Sequence, residues 1–283
     1  MPLASGVTTP PWYSRHCVIE FDICGIGAWS ERFANAEELV AGLESGLWPD
    51  SVSLQPELIP PRERRRAPQF VKMAVEVMQQ ACRMAGMEPN RPATVFASQM
   101  SDMETTDNIC RVLAESPRLV SPTRFHNSVH NAAVGYWSIA TASHAPANAI
   151  AAFELSSSIA LLEAAAQLAV ERTPVLVVVQ DAAPPVPFEY ICPGAATFAA
   201  ALLIAPPGAS ARALVRCRLT TSPTEADWPD LPPRSPDGLA GNASARILPL
   251  LAAALTPFSG EVNLSFPVAP RLSLQLRLQR ETC

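Results

Sequence analysis

The chain has 283 residues, 48% of them hydrophobic, and carries a formal net charge of −5 at pH 7. This hydrophobic content is sufficient for a sizeable core and predicts a folded globular protein. The acidic balance argues against a nucleic-acid partner, because the only dense basic cluster, residues 62–66, is typical of a solvated surface.

The sequence predicts a cytosolic protein with no membrane span. Glu163 and Glu171 interrupt the best apolar stretch, so no run reaches the roughly eighteen uncharged residues that a spanning helix needs. The first residues do not show the basic and then apolar pattern of a signal peptide. The seven cysteines are scattered without a Cys-x-x-Cys pair, which argues against zinc or redox chemistry.

Apolar residues recur alternately at strand and helix periods along the chain. Strands are predicted at residues 17–25, 93–98, 175–179, 197–204, 213–220 and 271–278. Helices are predicted at residues 35–43, 67–85, 102–115, 128–142 and 239–255. The pair Gly25 and Gly27 is expected to end the first strand, and Pro122 is expected to begin a loop. The alternating order predicts an α/β fold.

The most informative stretch is residues 147–179. It begins with a short strand that is expected to be buried, continues with a helix that is apolar on almost every face, and ends in a second apolar strand. This pattern predicts a crossover inside the domain. Residues 154–158 lie at the junction between strand and helix, where free backbone N–H groups and the positive helix end favour an anion or a nucleophile.

Several motifs resemble those of the β-ketoacyl synthases, a family with the layered thiolase fold. The most specific is Phe-His-Asn-Ser-Val-His-Asn-Ala-Ala-Val-Gly at residues 125–135; the others are residues 23–27, 37–46, 64–72, 147–179 and 194–203. The resemblance covers about residues 18–206. It implies an N-terminal βαβαβαββ half of the thiolase-like fold, between a loose arm at 1–17 and a short C-terminal extension at 207–283 that packs on the domain.

The resemblance also implies that the catalytic residues of the family are missing. An active synthase has a cysteine at the strand-to-helix junction, and that position falls on Leu155 here, with Glu154 beside it. The family also uses histidines, or a histidine and an asparagine, from a C-terminal half, and no histidine follows His144. The chain is therefore expected to be a non-catalytic subunit, similar to the chain length factors of aryl-polyene and type II polyketide pathways.

A chain with half of the thiolase fold leaves one face of its layers uncovered unless residues 207–283 cover it. We therefore expect a heterodimer with a full-length β-ketoacyl synthase, whose acyl tunnel this chain would shape, and substrate delivery by an acyl carrier protein. No metal or diffusible cofactor is implied. The resemblance assigns the pocket and the interface to Phe125, His126, Asn127, His130, Asn131, Phe153, Glu154, Leu155 and Ser156.

Other readings stay open for several of these residues. Residues 156–158 are three serines, one of which could be a nucleophile activated by a histidine in a stand-alone hydrolase or acyltransferase. No Gly-x-Ser-x-Gly elbow surrounds them, however, and serines commonly cap helices. His126 and His130 could be histidines that simply bond backbone carbonyls. Residues 62–66 could contact an acidic carrier protein. A third function is structural stabilisation of a complex without any effect on product length.

Overall fold

The structure, a computed structural model, describes residues 18–280 and shows one mixed sheet with helices on both faces. The arm predicted at residues 1–17 lies outside the described residues. The strands are β1 (Ile19–Ser30), β2 (Ala93–Ala97), β3 (Ala147–Ile150), β4 (Val175–Asp181), β5 (Phe198–Ala205), β6 (Val215–Ser222), β7 (Glu261–Ala269) and β8 (Leu272–Gln279). The helices are α1 (Ala36–Ser45), α2 (Pro61–Arg64), α3 (Gln69–Ala85), α4 (Met103–Glu115), α5 (Pro122–Asn127), α6 (Ala132–Thr141), α7 (Ser156–Glu171) and α8 (Leu248–Leu255).

The sheet has the strand order β3-β2-β4-β5-β1-β6-β8-β7. Strands β3, β2 and β4 are parallel, and every other neighbouring pair is antiparallel. Helices α3 and α6 pack on one face of the sheet, and α1, α7 and α8 pack on the other. The predicted α/β class with a layered arrangement is confirmed.

Strand β1 continues past the two glycines that were expected to end it. An added Cβ would lie 2.1 Å from the Ala81 carbonyl oxygen at Gly25 and 1.9 Å from the Val77 carbonyl oxygen at Gly27. Both glycines therefore let helix α3 approach the strand closely, and neither marks a turn. The strand ends only at Ser30.

The C-terminal extension adds three strands to the same sheet and covers helix α7. Apolar side chains of β7 and β8, among them Phe266 and Leu276, belong to the same core cluster as Ala160 and Leu161 of α7. The Ser158 hydroxyl also donates a hydrogen bond to the Pro267 carbonyl oxygen of β7. Residues of β7 and β8 thus cover helix α7 on its side away from β2 and β4.

The extension is also joined to the first strand through a buried ion pair. The Asp22 carboxylate of β1 accepts hydrogen bonds from the Arg216 side chain (Nε to Oδ1, 2.8 Å) and from the Gly208 backbone N–H (2.7 Å). Because Asp22 is only 1% exposed, loss of Arg216 would leave a buried and poorly compensated charge. This contact fixes the position of β6 beside β1.

One helical stretch, Phe153–Glu171, is long and apolar enough to cross a membrane by length and composition alone. Buried core helices pass the same test. Helix α7, which makes up most of this stretch, contacts β4, β2 and β1 on one side and β7 and residues 244–247 on the others. Its packing is that of a core helix.

Three further predictions of local structure are wrong. Strand β3 was expected to be buried, but it is an edge strand in which Ala147, Asn148 and Ala149 are exposed. Residues 122–127 form the short helix α5, with proline at its first position, where a missing N–H is tolerated. The helix expected at residues 239–255 is divided into two 3-10 turns, at 239–241 and 244–247, followed by α8.

Candidate functional site

Some of the predicted site residues, 153–156, lie at the carboxyl ends of the three parallel strands, where the structure also places Ser98 and Asp181, two polar residues that the sequence did not single out. Ser98 follows β2, residues 151–155 follow β3, and Asp181 ends β4. The carboxyl edge of parallel strands is where α/β proteins commonly place their ligands. Residues of the loop 188–195 and residues 241–243 of the extension line the cavity at this edge.

Asp181 is a buried acidic group at this edge. Its Oδ1 accepts hydrogen bonds from Ser98 Oγ (2.8 Å) and from the Gln99 backbone N–H (2.8 Å), and its Oδ2 accepts one from Ser244 Oγ (2.6 Å). Burial raises the pKa of Asp181, while these hydrogen bonds act in the opposite direction. Because Ser244 belongs to the extension, Asp181 ties the extension to the ends of β2 and β4.

The junction between β3 and α7 is a strained turn. Phe153 has a φ of 49°, in the left-handed region that L-residues rarely adopt, and its side chain is 74% exposed. Glu154 is exposed and Leu155 is half-buried. The residue at the expected nucleophile position, Leu155, thus carries no group that could attack a thioester.

The three serines at the start of α7 are fully buried and are committed to the backbone. Ser156 Oγ donates to the Phe153 carbonyl oxygen (2.6 Å) and accepts from the Ala152 N–H (3.0 Å). Ser157 Oγ donates to the Ala243 carbonyl oxygen (3.1 Å). Within residues 18–280, no hydrogen bond joins these hydroxyls to a histidine, so the arrangement lacks the base that a serine nucleophile requires.

The structure brings one thiol to this edge that sequence reasoning missed. Cys192 lies in the loop after β4, and its Sγ is 3.6 Å from Gln99 Oε1. Burial, and then the charges of Asp181 and Glu154, raise the pKa of Cys192. A thiol with a raised pKa stays protonated at neutral pH and is a poor nucleophile. The spacing of Cys192 along the chain gives no signal of this placement, because only the fold of the loop brings it here.

A small cavity lies between these groups. It has a volume of about 20 Å³ and is lined by Gln99, Met103, Asp181, Cys192 and Asn242, among others. This space holds about one water molecule. It cannot hold an acyl chain.

A much larger groove lies outside the edge, between α5 and α6. It has a volume of about 550 Å³ and an apolar wall made by Val129, Tyr136 and Ile139, of which Ile139 is 74% exposed. His126 and Asn131 also line it. This groove is open to solvent and is wide enough for part of a chain-like ligand or a partner's side chains.

Residues 40–234 match the family model described as β-ketoacyl synthase, N-terminal domain. The chain belongs to the β-ketoacyl synthase family.

Solved structures show the same fold as this ketosynthase-family chain. The ketosynthase ApeO in complex with its chain length factor ApeC from Xenorhabdus doucetiae matches with a TM-score of 0.65 and 21% identity, over 91% of this chain and 99% of that one. The ishigamide ketosynthase/chain length factor matches with a TM-score of 0.69 and 16% identity, over 92% and 99%. A type II polyketide acyl-carrier protein in complex with its hexaketide-bound ketosynthase, AntDE:AntF, matches with a TM-score of 0.72 and 10% identity, over 92% and 99%. No curated protein matches the sequence.

The fold divides the predicted site residues of this ketosynthase-family chain into two groups. His126 and Asn131 line the groove, and Asn127 is buried behind it, where its Oδ1 accepts a hydrogen bond from the Tyr136 hydroxyl (3.2 Å). His130 points to the other group: its Nε2 is 3.3 Å from the Ser98 carbonyl oxygen, and its ring packs edge-on against Phe96. The two histidines therefore do not act together.

The remaining predicted residues lie outside the groove. Phe153, Glu154, Leu155 and Ser156 form the junction at the carboxyl edge. Phe125 is 66% exposed on α5. Among residues 18–280, no group of three or more histidine, cysteine, aspartate or glutamate side chains could hold a metal ion.

Proposed function

We propose that this chain is a non-catalytic subunit of a ketosynthase complex. It pairs with a full-length β-ketoacyl synthase and shapes the acyl tunnel of that partner, as a chain length factor does. The observation that carries the proposal is the β3–α7 junction, where Leu155 and Glu154 occupy the position that the sequence predicts for the nucleophile. Ser156 Oγ, next to them, is hydrogen-bonded to the backbone of Phe153 and Ala152. Condensation would therefore belong to the partner.

A comparison of the two edge strands, β7 and β3, favours β3 as the strand that pairs with a strand of the partner. The β7 edge carries Glu261, Pro267 and an irregular register after Pro267, which are devices that prevent strand addition. Strand β3 reads Ala-Asn-Ala-Ile and has neither a charge nor a proline. An unprotected edge of this kind is a template for a partner strand, and the fold places it beside the junction.

The direction of the free backbone groups on β3 follows from the parallel ladder. The Pro146 carbonyl accepts from the Thr94 N–H (2.9 Å), and the Ile150 carbonyl accepts from the Ser98 N–H (3.3 Å). In a parallel ladder the residues between these acceptors alternate in direction, so the N–H and C=O groups of Ala147 and Ala149 point away from β2. These groups could bond a strand of the synthase.

The cavities support a role in shaping a partner's tunnel. The 20 Å³ cavity at the carboxyl edge is too small to hold an acyl chain. The 550 Å³ groove, with its apolar wall of Val129, Tyr136 and Ile139, could instead bound a tunnel that continues from the partner. The size of the side chains on this wall would then limit the length of the product.

Delivery of the substrate would fall to an acyl carrier protein. Arg62, Arg65 and Arg66 are exposed, and within residues 18–280 they form no ion pair. Arg66 also lines the groove. These guanidinium groups could attract the carboxylates of an acidic carrier protein and raise its rate of association. In this proposal the complex works in the cytosol, and residues 207–283 act as an extension of the domain at 18–206.

Native mass spectrometry tests the pairing. This chain is purified alone and together with a full-length β-ketoacyl synthase of the same pathway, and we expect a one-to-one complex. The product distribution of the synthase is then compared with and without this chain, and its length or yield should change. A chain that ignores the synthase, and reacts instead with a serine-directed phosphonate, would refute the proposal in favour of a hydrolase. A complex with unchanged products would reduce the role to stabilisation.

A further inference from the structure

Phe153 combines backbone strain with an exposed apolar side chain. Its φ of 49° lies in the left-handed region, and its ring is 74% exposed. The other non-glycine residues with positive φ are Ser101, Ala142, Arg172, Arg234 and Arg271, which are small, polar or basic. Among the residues that the structure describes, Phe153 is therefore the one bulky apolar side chain held in this conformation.

The described chain leaves most of the Phe153 ring exposed to solvent. The turn itself needs only its backbone, because the Phe153 carbonyl oxygen accepts the hydrogen bond from Ser156 Oγ (2.6 Å). Within residues 18–280 the ring makes no contact with another aromatic ring or with a cation. Glycine would form the same turn without strain. A strained backbone that holds an apolar ring in solvent indicates that the ring contacts another molecule.

We propose that Phe153 is an anchor that inserts into an apolar pocket of the full-length synthase. The inference rests on the proposed function, because the synthase is taken to bind at the β3 edge. Phe153 lies three residues after the end of that edge, so a partner paired with β3 would reach it. Aromatic side chains that are buried at the centre of an interface commonly account for a large share of its affinity. The strain at Phe153 would then be kept because the turn directs the ring toward the partner.

Two substitutions at Phe153 separate the ring from the backbone. Phe153→Gly removes both the strain and the ring, so the Tm of the lone chain should rise by about 2–4 °C while the Kd for the synthase rises about 30-fold. Phe153→Ala keeps the strained backbone and removes the ring, so the Kd should rise similarly while the Tm stays near that of the wild type. Calorimetric titration and thermal unfolding measure the two quantities.

Arg172→Gly is the matched control. Arg172 has a φ of 56° and lies at the opposite end of α7 from Phe153. Its replacement should raise the Tm in the same way and leave the Kd unchanged.

Three outcomes would overturn the inference. If the wild-type chain fails to bind the synthase, the proposed function fails together with this inference. If the wild type binds and Phe153→Ala binds equally well, this inference alone fails. If the lone chain forms a homodimer that Phe153→Ala dissociates, the occupant is a second copy of this chain and not the synthase.

Discussion

Replacement of Ala149 by proline should break the complex without harming the subunit. The Ala149 N–H points away from β2, and no residue between 18 and 280 accepts a hydrogen bond from the donor that proline removes. Proline is tolerated on edge strands when its missing N–H faces solvent. The free energy of unfolding of the lone Ala149→Pro chain should therefore change by less than about 1 kcal/mol.

The loss in the complex can be worked from the geometry of the edge. A partner strand would bond the outward N–H and C=O groups of Ala147 and Ala149. Proline at position 149 removes one donor, and its ring keeps the neighbouring strand at a distance, so two or more bonds are lost. At about 0.5–1.5 kcal/mol for each bond, the loss is about 1–4 kcal/mol. The Kd should rise by about 5-fold to 1,000-fold.

Calorimetric titration of the purified chain with the full-length synthase measures this Kd, and urea unfolding of the lone chain measures its stability. Ala149→Val is the matched control, since valine adds bulk at the same position, keeps the N–H and is favourable in strands. We expect the valine variant to bind with nearly the wild-type Kd. If Ala149→Pro binds as tightly as the wild type, the partner does not pair with β3, and the reasoning from the two sheet edges is refuted.

Two further predictions concern stability. Gly27→Ala would place a Cβ 1.9 Å from the Val77 carbonyl oxygen and should destabilise the chain by about 3 kcal/mol or more. Gly135→Ala has no atom within 4 Å of the added Cβ and should stabilise α6 by about 0.5–1 kcal/mol. Urea unfolding of the two variants measures this contrast, and equal changes in the free energy of unfolding would contradict it. Burial raises the pKa of Asp181 in the folded state, so between its ordinary value near 4 and the raised value the folded chain holds a proton that the unfolded chain has lost. In that window folding requires Asp181 to take up a proton, so the free energy of unfolding falls as the pH rises. The free energies of unfolding of the wild type and of Asp181→Asn are compared from pH 4.5 upward. The stability of the variant relative to the wild type should increase with pH, by at most about 1.4 kcal/mol for each pH unit. A stability difference that stays constant or decreases with pH would contradict the raised pKa of Asp181.

Local patterns predicted much of the fold because local chemistry determines those elements. Asn35 caps α1 as expected, since its Oδ1 accepts from the Glu38 N–H (2.9 Å) and the Glu38 carboxylate accepts from the Ala34 N–H (2.8 Å). Helix α3 ends at Gly86, which has a φ of 64°. Both features depend on residues that are close in the sequence, so the sequence alone is sufficient to place them.

The errors arise where distant residues decide the outcome. The glycines of β1 have the same appearance in sequence whether they end a strand or admit a helix, and only the approach of α3 distinguishes the two. Strand β7 was not predicted, and it contains Pro267, which is tolerated there since β7 is an edge. Cys192 could not be assigned to the site, because a loop far along the chain brings it beside Asp181.

The error at β3 has a different physical origin. A short uncharged run such as Ala-Asn-Ala-Ile is typical of a strand that water does not reach, and the lone chain exposes its first three residues. The sequence pattern therefore fits β3 as it would be in a complex and not as it is in the isolated subunit. The extension already covers α7 with Phe266 and Leu276, so the core does not need a partner for burial. It follows that the subunit should fold alone, and that its pairing should depend on the backbone of the β3 edge and on a few exposed apolar side chains, with an affinity that can be measured from the separate proteins.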